Sequence, residues 1–87
     1  MDARQLVAWN VRQIRVLRGI SSEALAADAN VDRAYVSRIE RALANPSIDV
    51  LERIAKVLGV GVAELFAVPE PHEERPQPLP GGRRRSR

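Results

Sequence analysis

Through the first 68 residues apolar side chains recur at helical spacing, and no segment alternates with period two. In 3–18, Ala3, Leu6, Val7, Val11, Ile14 and Leu17 fall on one face at about 100° per residue, and Gly19 predicts the stop. Ser21 is a good cap for a short helix over 22–29 with Leu25, Ala26 and Ala29 inward. Asn30, a residue that tolerates a left-handed backbone, predicts a sharp turn. Asp32 predicts the cap of a third helix, 33–41. Asn45-Pro46 breaks the chain, and Ser47 opens a helix over 48–58 with Ile48, Leu51, Ile54, Ala55 and Leu58 as its stripe. On its other face Asp49–Arg53 and Glu52–Lys56 stand in the favourable i,i+4 order. Gly59 ends it, and 62–66 form a last short helix. The expected fold class is all-α, with five helices.

Composition changes markedly after residue 68. Five of the six prolines, Gly81, Gly82 and the basic end Arg83, Arg84, Arg85 and Arg87 lie in 69–87, where Leu79 is the one strongly apolar residue. Such a segment buries too little surface to offset its ordering entropy, so a disordered tail is expected behind a domain of residues 3–68. The net charge of +3 belongs mostly to that tail. Residues 1–68 carry nine basic and eight acidic groups, so bulk charge says little and local placement decides. There is no cysteine, and the one histidine, His72, lies in the tail. No disulfide, metal site, cofactor or histidine- or cysteine-based catalysis is expected. Serines and carboxylates are present, but none stands near a base or metal ligand in a recognisable spacing, so no enzyme is expected. Nothing in the chain spans a membrane or reads as a secretory signal, so an intracellular, cytoplasmic chain is expected.

On the third helix Tyr35, Val36 and Ile39 define an apolar face. The other face shows Arg33, Arg38 and Arg41 separated by the small residues Ala34 and Ser37. Small residues let a helix backbone approach a groove, and a neighbouring arginine can fork onto guanine O6 and N7. The ordinary alternative for an arginine-bearing face is simple solvation. A short capped helix, a tight turn and this helix are the parts of a helix-turn-helix, whose second helix enters the major groove.

In order and spacing, residues 11–66 resemble the Xre-type (phage repressor/Cro-like) helix-turn-helix family. The resemblance runs through Val11-Arg12-Gln13-Ile14-Arg15, Gly19-Ile20-Ser21, Leu25-Ala26 and Val31 to Arg41. It continues through Asn45-Pro46-Ser47, Leu51 to Val60 and Glu64-Leu65-Phe66. Three departures stand out. Ser22 replaces the family's usual Gln, Asn30 its usual turn Gly, and Ala42-Leu43 its usual Gly and basic residue after the recognition helix. Ala42 and Leu43 are expected to prolong that helix slightly. Ala24 also removes the Ser-x-x-Glu capping box.

By position the resemblance implies base reading by Arg33, Ala34, Ser37 and Arg38. It implies phosphate contacts by Ser22, Arg41 and Asn45, with Tyr35 either a core residue or a phosphate contact. Arg15 and Glu40 resemble the family's buried ion pair, which orients the recognition helix. Val60, Val62, Leu65, Phe66 and Val68 are more apolar than a fold end requires, and the resemblance implies a homodimer interface there. Two-fold symmetry then predicts a palindromic double-stranded DNA site. Trp9 and Val16 lie opposite the main stripe of the first helix, where the last helix, a second subunit or another protein would pack. The expected function is a DNA-binding transcriptional regulator, a homodimeric repressor with no small-molecule ligand. The alternative is a protein-binding adapter, antitoxin or antirepressor on the same fold. The tail arginines would add non-specific phosphate affinity or solubility.

Overall fold

Side chains that satisfy the first free backbone N–H groups set most of the helix starts. The computed structural model describes residues 1–70, with four α-helices and no strand among them. These are α1 (Ala3–Leu17), α2 (Ser22–Ala29), α3 (Arg33–Glu40) and α4 (Ile48–Leu58), followed by a 3-10 turn, Val62–Phe66. Ser21 Oγ accepts from Ala24 N at 2.9 Å and Ser47 Oγ from Val50 N at 3.1 Å. Asp2 and Gln5 form a reciprocal capping box on α1, both bonds at 2.9 Å. Asp32 occupies the start of α3 but its side chain makes no cap bond.

All four helices end in one motif, in which a left-handed residue turns two amides back onto the last carbonyls. The left-handed residues are Gly19, Asn30, Ala42 and Gly59, with φ of 67°, 59°, 59° and 77°. After α3, Ala42 N donates to Ile39 O at 3.0 Å and Leu43 N to Arg38 O at 2.8 Å. Ala42 therefore terminates α3 at Glu40 and does not prolong it, because its backbone has left the helical region.

The core gathers Val7 and Val11 of α1, Leu25, Ala26 and Ala29 of α2, Val36 and Ile39 of α3, Leu51, Ile54 and Leu58 of α4, and Leu65. Helix α2 packs on α3 and α4, while α1 packs on α3 and the 3-10 turn. Three stripe positions point elsewhere than expected, the first of them Ala3, exposed at the start of α1. Leu17 and Ile48 are exposed, because each lies at a helix end that overhangs the core. Leu65, expected at a dimer interface, is fully buried and belongs to the core. The last expected helix is a 3-10 turn, too short to hold an α-helical register. Arg53 does not pair with Asp49. Its Nε donates to Ala29 O at 2.9 Å, tying α4 to the end of α2.

Asn10 is the buried polar residue of α1. Its Nδ2 donates to Leu6 O, Leu65 O and Ala67 O at 2.9, 3.0 and 2.9 Å. Two hydrogens shared among three carbonyls pin the 3-10 turn and the following chain onto α1. The proline- and arginine-rich stretch 71–87, with the expected tail arginines, lies outside the described residues.

Candidate nucleic-acid interface

Helix α3 has eight residues, about 12 Å of helix, and an α-helix with its side chains is about 10–12 Å across, a diameter that a DNA major groove admits. Val36 and Ile39 are buried and hold the helix by one side. Arg33, Ala34, Ser37 and Arg38 are exposed together on the other, followed by exposed Arg41 at the helix end. Tyr35 sits half-buried at the seam, packed against the core. Ser22 is half-buried at the first position of α2, and Asn45 is exposed in the connection to α4. The α2 and α3 starts thus lie on adjoining elements, and the turn between them is fixed by the left-handed Asn30.

The orientation of α3 is set from α1. Arg15 Nε donates to Glu40 Oε2 at 2.6 Å and Nη2 to Oε1 at 3.0 Å, a bidentate pair. The two side chains are 13% and 9% exposed, so water screens them little. Arg15 Nη1 also donates to Ile20 O at 3.0 Å, tying the α1–α2 connection into the same node. Arg12 approaches Glu40 at 3.8 Å from the solvent side. Such a pair contributes geometry more than net stability.

The exposed arginines of α3 and its end have local partners. Arg33 Nη1 donates to Glu23 Oε2 at 2.9 Å, Arg38 Nη2 to Leu43 O at 3.3 Å and Arg41 Nε to Ser37 O at 3.4 Å. Glu23 had no place among the residues expected at this surface. Its contact joins side chains ten positions apart on two helices, which no spacing within one helix announces. Asn10 escapes sequence reading for the same reason, since the two acceptors it reaches outside α1 lie 55 and 57 positions away.

The remaining apolar surface is divided. Val60 and Val62 are half-buried against the core, whereas Phe66 is 37% and Val68 76% exposed. Val16 is half-buried. Trp9 lies in a groove with Met1, Leu6, Val68, Pro69 and Glu70, covered by the chain that leaves the 3-10 turn. Its indole N–H is buried without a hydrogen-bond partner. No helix among the described residues is long and apolar enough to cross a membrane.

The fold and this face define a helix-turn-helix domain, and the comparisons agree. A family profile described as helix-turn-helix matches residues 11–65. A hypothetical transcription factor from Neisseria meningitidis serogroup B is 39% identical over 69 residues, 79% of this chain. The chain spans 65% of that relative's length. The crystal structure of the Neisseria factor superposes with a TM-score of 0.75 at 40% identity, over 78% of each chain. Control protein C.BamHI of Bacillus amyloliquefaciens is 43% identical over 66 residues, 75% of this chain and 82% of its own. The restriction–modification controller C.AhdI of Aeromonas hydrophila superposes at a TM-score of 0.70 and 32% identity, over 72% of this chain and 96% of its own. The chain belongs to the Xre-type helix-turn-helix family of DNA-binding transcription regulators, not to a family of enzymes.

Proposed function

We propose that the protein is a homodimeric repressor that reads a palindromic operator through the major groove. The observation that carries this is the exposed set Arg33, Ala34, Ser37 and Arg38 on a helix held from behind by Val36, Ile39 and the Arg15–Glu40 pair. Arg33 and Arg38 supply forked donors suited to guanine, Ser37 a hydroxyl suited to several bases, and Ala34 clearance or contact with a thymine methyl. Ser22, Arg41, Asn45 and the Tyr35 hydroxyl flank this set and take phosphates, which fix register without reading sequence. The N–H groups of the first turn of α2 add a partial positive charge for an anion.

Dimerisation uses Phe66 and Val68, with Val60 and Val62 at the margin. Phe66 and Val68 are exposed apolar side chains at the end of the domain, and a small domain gains stability from a partner subunit. A two-fold axis there sets two α3 helices one DNA turn apart, about 34 Å. The relatives named as control and restriction–modification controller proteins favour a regulatory role.

The test is selection from a random double-stranded DNA pool with wild type and with the Arg33→Ala/Arg38→Ala double variant. Wild type is expected to recover an inverted repeat that the variant does not. Failure of folded wild type to enrich any motif refutes sequence-specific reading. The second reading, a protein partner on the Trp9–Val16 side of α1, finds less support, because both side chains are half-buried and the Trp9 indole N–H is shielded by the chain itself. Partner binding that survives high salt and the double substitution distinguishes it.

A further inference from the structure

We infer that Glu23 is a positioning residue that keeps Arg33 off the phosphate backbone and so sets the ratio of specific to non-specific DNA binding. This inference rests on the DNA-reading function proposed above. Arg33 and Glu23 meet at 2.9 Å, although both side chains are 68% exposed and water competes fully for each. The pair spans the two helices of the motif, from the first turn of α2 to the first residue of α3. It lies on the surface that faces the nucleic acid in the proposed complex.

An arginine at that position has two kinds of target. Phosphate oxygens attract it regardless of sequence, and base edges attract it only at the right base. A long, freely rotating side chain reaches both. Glu23 biases the choice in two ways. It accepts from Nη1 and leaves the rest of the guanidinium fork unclaimed by that contact, restricting the rotamers that Arg33 explores. Its negative charge also makes that side of the guanidinium a poor place for a phosphate oxygen. Asp32, adjacent to Arg33, has a carboxylate that makes no cap bond and adds to the same negative field. Removing the Glu23 charge therefore strengthens the sequence-independent mode more than the sequence-reading mode.

The experiment measures affinity of the full chain for the selected operator and for a scrambled duplex across a salt series. Wild type, Glu23→Gln, Arg33→Ala and the double variant are compared, with circular dichroism as the folding control. Glu23→Gln is expected to raise affinity for scrambled DNA about threefold to tenfold, with a salt slope steeper by about one released ion. Operator affinity is expected to stay within about twofold, so discrimination falls at least about threefold. On the Arg33→Ala background the same substitution should leave discrimination unchanged. An equal rise for both duplexes means Glu23 acts as general charge, which overturns the proposal. A loss of discrimination that persists on the Arg33→Ala background also overturns it, because Glu23 would then act without Arg33. Wild type that does not discriminate at all refutes the DNA reading itself, and this inference with it. Wild type that discriminates while Glu23→Gln leaves the ratio unmoved refutes this inference alone.

Discussion

Replacing Ala42 by glycine should stabilise the protein. Ala42 is the one alanine in a left-handed conformation among the described residues, at φ 59°. Its role is filled by glycine after α1 and α4 and by asparagine after α2. A left-handed backbone brings Cβ close to the following carbonyl and costs an L-residue about 1–2 kcal/mol. Glycine removes that clash but gives the unfolded chain more freedom, a loss of about 0.5–1 kcal/mol. The Ala42 methyl is half-buried, and its lost contact takes back a few tenths of a kcal/mol, a fraction of the ~0.8 kcal/mol per fully buried methylene. The net is a gain of about 0.5–1 kcal/mol, which for a domain this small raises the melting midpoint by roughly 2–8 °C. Thermal unfolding followed by circular dichroism measures it. Ala27→Gly, in the exposed interior of α2, is the control, and should lower the midpoint by the cost of ordinary helical glycine, ~1 kcal/mol. Opposite signs for the two substitutions confirm the reasoning. An Ala42→Gly midpoint that is unchanged, or lowered like the control, refutes it.

Three further outcomes follow from the packing. Glu40→Ala strands the Arg15 guanidinium in a site where it is 13% exposed, and should cost about 3–5 kcal/mol in urea unfolding. Arg12→Ala, at 3.8 Å on the solvent side, should cost under ~1 kcal/mol, and equal losses from the two would refute the ranking. Asn10→Ala leaves the carbonyls of Leu65 and Ala67 without its donor and should cost about 1–3 kcal/mol. Hydrogen exchange should then accelerate first in 62–67, and uniform acceleration would count against a local pin. Val68→Asp should convert the proposed dimer to monomer in sedimentation velocity and make the melting midpoint independent of protein concentration, since that side chain is 76% exposed in the single chain and its loss removes only the subunit contact. An unaltered sedimentation coefficient would remove Val68 from the interface.

Helical spacing of apolar residues, capping serines and helix stops are local chemistry, and short stretches of sequence carry them. Ser21 and Ser47 open helices where their hydroxyls can reach an amide three residues on, and Gly59 and Asn30 close them where a left-handed backbone is needed. The arginine face of α3 was legible for the same reason, because helical geometry converts spacing directly into direction. Family resemblance added the Arg15–Glu40 partnership, which no spacing within a helix implies, and packing brought the two groups to 2.6 Å. What the sequence could not settle depended on how helices meet. Leu17, Leu65 and Ile48 are equally apolar in the linear pattern, yet only Leu65 lies beneath another element. Glu23 and Asn10 find their partners across helices, through distances in space unrelated to distances along the chain. Ala42 shows the converse case. Alanine favours helix by local propensity, but the connection from α3 to α4 turns the backbone left-handed there, and tertiary packing overrides a local preference of about 1 kcal/mol.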